Sequence, residues 1–309
     1  MIIISTEKKK KFIAVENPRF RDIFKWRYER FFKKKDFSFS VPHIEQVDYT
    51  FLQENRTEAS ITWNGHVTFL IQLGGINIMT DPVWAMQMGF ERRLSEPGLQ
   101  LSELPEIDVV LISHSHFDHL HYPSIKKLPG HPVYFVPKGL KKQFEKKGFS
   151  RVEELSWWES IDYEGIKFTF IPSRHWTRRT LTDLNQSLWG GWMLEGCEKT
   201  LYFVGDTGYH DEFNEIANKF SIDYVMMPIG SYEPEWFMNN QHITPEEAVK
   251  IHLELGANYF IPMHYDAFRL ADDTPREALD RLNESWERAN IEQEKLKILK
   301  LGETIRLGK

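Results

Sequence analysis

The chain has 309 residues, of which 41% are hydrophobic and 14% aromatic, enough apolar side chain for a sizeable core and too much for a disordered polymer. Its formal charge of −6 is unevenly spread, because residues 1–40 carry 12 Lys/Arg against 5 Asp/Glu and leave the remainder strongly acidic. The single cysteine, Cys197, excludes an intramolecular disulfide, and no apolar run approaches the ~20 residues that span a bilayer; with no cleavable leader pattern, the expectation is a cytoplasmic chain, membrane-peripheral at most.

Residues 1–50 read as a basic, aromatic arm. Phe12, Phe20, Phe24, Trp26, Tyr28, Phe31 and Phe32 alternate there with Lys8–Lys11, Arg19, Arg21, Lys25, Arg27, Arg30 and Lys33–Lys35. Such interleaving suits peripheral contact with an anionic membrane surface, or a solvated arm whose aromatics pack on the body. No nucleic-acid partner is expected, and the oligomeric state is left open.

From about residue 60, short β-rich runs recur with turn residues between them: 60–63, 67–73, 76–80, 108–113, 133–136, 167–172, 187–194, 200–205, 224–228 and 259–263. Several end immediately before a His or an Asp. Thr244-Pro-Glu-Glu247 supplies an N-cap, a proline at the first helical position and a capping box, and Gly256 a stop, so a helix is predicted between them. No repeat, low-complexity tract or linker interrupts residues 51–309. They are predicted to form one α/β or α+β domain in which helices cover a large sheet core.

The chemistry concentrates where the apolar run Val109–Ile112 meets His114, His116, Asp118, His119 and His121. Imidazole nitrogens and carboxylate oxygens suit zinc, iron or manganese. So many polar groups at the end of a buried strand would be costly to leave unpaired, and a bound cation removes that cost. His175, Asp206 and His264 share this context, each just after an apolar run, so the sheet can bring all of them to one edge.

These residues resemble the metallo-β-lactamase superfamily, whose HxHxDH signature is met by His114, His116, Asp118 and His119, with His175, Asp206 and His264 following in the family's order. The resemblance implies an αββα sandwich of two mixed sheets flanked by helices. It also implies two divalent metals, most simply zinc: one on His114, His116 and His175, the other on Asp118, His119 and His264, with Asp206 bridging. Asp81 would orient a ligand histidine from behind, and His121, where the relatives carry an aspartate, would stand outside the ligands as well.

Collinear strings between residues 60 and 270, among them WNGHVTFLI, SRHWTRRTLTDLN, GDTGY, PIGSYEPEWFM and QHITPEEAVKIH, are similar to the N-acyl-phosphatidylethanolamine-hydrolysing phospholipase D family. The first 50 residues show no such match, and the residues after Leu270 diverge. The resemblance implies a phosphodiesterase of phospholipase D type, with Gln241 and His242 contacting the headgroup of a phospholipid or small phosphodiester. Asp118, Asp206 and His242 are the side chains expected to act in catalysis, by way of a metal-bridging hydroxide, Asp118 as a ligand rather than as the main proton acceptor. The alternative is a metallo-hydrolase of a soluble lactone, amide or cyclic phosphodiester. Arg174, Arg178 and Arg179 offer a clamp for an anionic headgroup or partners for the acidic body. Cys197 reads as a small buried residue, His252 as structural, and His43, His66, His131 and His210 lack a partner pattern.

Overall fold

The computed structural model describes residues 20–308. Fifteen strands are found among them: β1 Ser60–Gly65, β2 Thr68–Leu73, β3 Ile76–Thr80, β4 Gln87–Met88, β5 Glu91–Arg92, β6 Val109–Leu111, β7 Val133–Pro137, β8 Val152–Leu155, β9 Ser160–Tyr163, β10 Ile166–Pro172, β11 Gly190–Gly196, β12 Lys199–Phe203, β13 Tyr224–Pro228, β14 Tyr259–Met263 and β15 Thr304–Arg306. They build a seven-stranded sheet, β15-β1-β2-β3-β6-β7-β8, a six-stranded sheet, β14-β13-β12-β11-β10-β9, and the small hairpin β4–β5. Both large sheets mix parallel and antiparallel pairs and carry helices outside, the expected sandwich. No described helix is long and apolar enough to cross a membrane.

The two-residue period of a strand explains the layers. Val109 and Leu111, Phe69 and Ile71, Ile78, and Val133 and Phe135 point between the sheets, where they meet Phe168, Phe170, Trp192 and Phe203. Their alternates Val110, Ile112, Leu70, Met79, Tyr134 and Val136 form a second core with Leu52, Ile125 and Phe144 under the outer helices. A strand buried on both faces reads in sequence as an unbroken apolar run, as 109–112 does.

Tight turns set the hairpin registers. Leu73 pairs with Ile76 across Gly74-Gly75, both at positive φ, the geometry that matches strand twist. The β11–β12 turn makes the same demand on Cys197 and Glu198, at φ 50° and 57°. Cys197 is therefore exposed at a hairpin tip rather than buried, because a two-residue turn projects its side chains away from the sheet.

The helix Pro245–Leu255 has the predicted capping box, from Thr244 and Glu247, and Gly256 in the left-handed conformation behind it. A second helix, Pro275–Arg288, carries the same box from Thr274 and Glu277. Of the basic arm, Lys8–Lys11, Phe12 and Arg19 lie outside the described residues. Residues 20–32 form a helix that touches the body, with Trp26 stacked on Phe237 at 5.3 Å and Arg30 and Lys33 on the Asp272 carboxylate at 3.6 and 3.3 Å.

Candidate metal centre

Strand direction decides where the polar residues go. β1, β3 and β6 run the same way in one sheet, and β10, β12 and β14 the same way in the other. The segments that follow them carry His66, Asp81, the 114–119 cluster, His175, Asp206 and His264, and these meet at one edge of the sandwich. The two rims are tied directly: the His66 carbonyl accepts from the His264 amide at 3.1 Å, and the His66 amide donates to Asp266 at 2.8 Å.

All seven predicted ligands are brought together in two groups. In the first, His116 Nδ1 lies 2.9 Å from His114 Nε2 and 3.2 Å from His175 Nε2. In the second, the Asp118 carboxylate lies 3.4 Å from both His119 Nε2 and His264 Nε2. Asp206 stands between, at 3.2 Å from His119 and His264 and at 3.7 and 3.9 Å from His175 and His114. Each group places its ligating atoms within 4.8 Å of one another.

The electrostatics fit cations. Burial, followed by the neighbouring imidazoles, pushes His114 well below the usual histidine range, and burial takes His116 down to about 4, so these rings are neutral donors. Burial opposes ionisation of Asp118 and Asp206, but the adjacent histidines overcome it and hold both carboxylates well below their ordinary value. Burial likewise opposes charge on His119 and His264, yet Asp206 and Asp118 drive His119 well above its usual pKa and His264 to about 9. The carboxylates thus demand positive charge at the spot where the two groups touch. His116 Nε2, His119 Nε2, His264 Nε2 and Asp206 Oδ1 are buried without a hydrogen-bond partner. Orphaned donors and acceptors of this kind are what metal ligands look like in the absence of the ion.

The shell behind the ligands is well formed. Asp81 Oδ2 lies 2.8 Å from His119 Nδ1 and accepts from the Ser113 hydroxyl at 2.5 Å, and its Oδ1 accepts from the Ser113 amide at 2.7 Å. The Gln241 carbonyl faces His175 Nδ1 at 3.0 Å, fixing which nitrogen of that ring is turned to the site. The Gln241 side chain accepts from the Trp176 indole at 2.5 Å, and His242 Nδ1 stands 3.9 Å from Asp206. His121 is the exception: it bonds Ser124 at 2.7 Å and borders a separate cavity beside Trp84 and Lys127, because the short helix Tyr122–Ile125 begins there and turns it from the ligands.

Two contributions were missed in sequence. His66 Nε2 lies 3.1 Å from Asp118, inside the second group. It follows β1 just as the other donors follow their strands, so the strand-end rule would have found it. Arg179 is no headgroup clamp, since its Nη1 donates to the carbonyls of Ser115, His116 and Leu120 at 2.7, 3.3 and 2.9 Å and braces the ligand loop. Arg174 is held by the Tyr209 carbonyl and Asn240, and Arg178 by the Thr180 carbonyl.

The centre forms the floor of a cavity of about 530 Å³. Phe117, Trp176, Met88, Met238 and Leu270 make an apolar wall above His116, Asp118, Asp206 and His242.

Comparison with known proteins agrees with this geometry. Residues 76–265 match the beta-lactamase superfamily domain. An N-acyl-phosphatidylethanolamine-hydrolyzing phospholipase D of Caenorhabditis elegans is 36% identical over 249 residues, 73% of this chain and 70% of that protein. A mitochondrial enzyme of the same name from Saccharomyces cerevisiae is 33% identical over 240 residues, 72% of this chain but only 51% of its own length. A metallo hydrolase from the archaeon Ignicoccus hospitalis superposes with a TM-score of 0.65 at 20% identity, over 82% of this chain and 100% of that one, a likeness of fold. The chain therefore belongs to the metallo-β-lactamase superfamily, as a metal-dependent hydrolase that resembles the N-acyl-phosphatidylethanolamine-hydrolysing phospholipases D.

Proposed function

We propose that the protein is a dinuclear phosphodiesterase of phospholipase D type that cleaves N-acyl-phosphatidylethanolamine-like phospholipids. The observation that carries this reading is the cavity, about 530 Å³, in which Met88, Phe117, Trp176, Met238 and Leu270 line the same space as the cation donors His116, Asp118 and Asp206. The names of the worm and yeast relatives point to the same substrate class.

His114, His116 and His175 would hold one cation and Asp118, His119 and His264 the other, with Asp206 shared. Zinc suits this donor set, which also admits iron or manganese. When bound, such a pair supplies a nucleophile at neutral pH by lowering the pKa of water, and neutralises charge on a phosphoryl group. The chain's own residues do the rest. Asp81 and the Gln241 carbonyl hold the ligand rings in one tautomer. His242, taken down to about 4 mainly by burial, is a neutral imidazole at physiological pH, and its N–H can donate to a phosphate oxygen or to the departing oxygen. Met88, Phe117, Met238 and Leu270 exclude water from that oxygen and orient the lipid tail.

The test is metal-loaded enzyme on vesicles carrying N-acyl-phosphatidylethanolamine, with release of N-acylethanolamine as the readout. Absence of release from fully loaded protein overturns the lipid reading. Turnover of a lactone, an amide or a cyclic phosphodiester in its place would assign the centre to a soluble substrate.

A further inference from the structure

The β4–β5 hairpin, whose Met88 and Gly89 line the cavity, is closed at its base by Arg93, whose amide donates to the Met86 carbonyl at 3.0 Å. The Arg93 side chain turns inward and is only 8% exposed. There Nε donates to the Ser95 carbonyl at 2.7 Å, and Nη1 to the carbonyls of Val83 and Ala85 at 3.2 and 3.4 Å. Carbonyls satisfy the donors but not the charge, and a buried guanidinium needs an anion opposite it.

That anion is Asp266, fully buried and two residues beyond His264. Arg93 Nη2 and Asp266 Oδ2 converge beside Gly65: a Cβ on that residue would lie 2.9 Å from the first and 3.1 Å from the second. Glycine, here at φ 107°, leaves the two charges facing each other with no side chain between them. Burial raises the Asp266 pKa and the Arg93 charge opposes that shift, while burial lowers the Arg93 pKa and Asp266 opposes it. The pair grips the residue that follows Gly65. Asp266 Oδ1 accepts from the His66 amide at 2.8 Å, and Phe268, with the Arg93 guanidinium over its ring at 5.3 Å, stands perpendicular to the His66 ring at 5.5 Å. Backbone and ring of His66 are thus each held by a group that Arg93 faces. His66 in turn brings Nε2 to 3.1 Å from Asp118 and accepts the His264 amide on its carbonyl.

We propose that Arg93 is a positioning residue for the cation on Asp118, His119 and His264: through Asp266 and Phe268 it fixes the His66 turn, and His66 fixes the Asp118 carboxylate. Its carbonyl bonds, together with the apolar cluster of Val83, Ala85, Ala267 and Phe268, join the hairpin of the cavity wall and the metal-binding rim into one unit. An ammonium in its place would supply the charge without the geometry, since only a guanidinium presents a rigid fork of donors. The inference rests on the dinuclear centre of the proposed function and not on its lipid substrate.

The experiment titrates the full-length protein with zinc against a chromophoric chelator, which reads the affinity of each cation without substrate. Arg93→Met is expected to weaken about tenfold the same cation that His66→Gln weakens, and to leave the other within about twofold. His66→Gln/Arg93→Met should hold that cation no more weakly than His66→Gln alone, because both changes act through one side chain. Arg93→Lys should fall between Arg93→Met and wild type. An arginine that only supports the fold would loosen both cations alike, or add its full effect to that of His66→Gln, and either result overturns the inference. If Arg93→Met does not fold, Phe268→Leu takes its place in the cycle: a loss confined to the same cation and absent in the His66→Gln background is expected, and an unchanged affinity overturns the inference. Wild type that takes up fewer than two zinc ions overturns the dinuclear reading and this inference with it. Two ions held by wild type and held equally well by Arg93→Met overturn this inference alone.

Discussion

The Asp118 carboxylate has three imidazoles within 3.4 Å, those of His66, His119 and His264, and it is His66 that approaches most closely. A carboxylate free to rotate would lose part of its affinity for a cation to the entropy of being ordered, so a hydrogen bond that fixes its orientation strengthens binding. His66→Gln is therefore expected to weaken the more loosely held cation by about 10- to 100-fold while leaving the fold intact. Metal content after dialysis against a competing chelator measures this, and wild-type retention would show that His66 only fills space. His66 also illustrates what a sequence hides at this scale. Its proximity to Asp118 spans 52 positions, and only the β1–β2 turn, which holds His66 at φ 55°, aims the ring inward.

At the scale of elements, the strand ends were the legible feature. The runs at 76–80, 224–228 and 259–263 coincide with β3, β13 and β14, and each apolar run before a predicted ligand is a strand. β4, β5, β8, β9 and β15 were not foreseen. β8 buries only its two end residues and β9 buries none, so neither shows an apolar run, while β4 and β5 are two residues long and β15 three. The helix Pro275–Arg288 went unread although Thr274-Pro-Arg-Glu277 repeats the signal at Thr244. The cap does local work: the Thr274 hydroxyl accepts from the Glu277 amide at 3.2 Å and the Glu277 carboxylate accepts from the Thr274 amide at 3.0 Å. Thr274→Ala should lower stability by about 1 kcal/mol without altering turnover. Urea unfolding checks it, and an unchanged midpoint would mean that packing of Leu282 and Trp286 alone sets the helix.

For the whole molecule, the centre joins the two layers, because the 114–119 cluster hangs from the seven-stranded sheet and His175, Asp206 and His264 from the six-stranded one. Ligands that bind only the folded state stabilise it by mass action, about 2.7 kcal/mol at a hundredfold excess over Kd. Chelation is thus expected to lower the unfolding temperature, and zinc to restore it in Asn or Ala variants of surface residues but not in Asp206→Ala. Calorimetry with and without chelator decides; a temperature insensitive to metal would mean that the sheets are locked by their apolar interface and take nothing from the site.

Residue patterns alone determined one domain of helices over a large sheet core and a set of candidate donors that included His121, since apolar periodicity and strand-terminal His and Asp are local patterns that survive without knowledge of partners; the two-sheet sandwich and the choice of seven donors were implied by the family resemblance. Only the tertiary structure decided that His66 joins them, that His121 turns away, that Arg179 braces a loop instead of facing a ligand, and that Cys197 is exposed. These depend on turn geometry and on which segment lies across the gap between sheets, and contacts between remote segments leave no periodic trace in the sequence of either one.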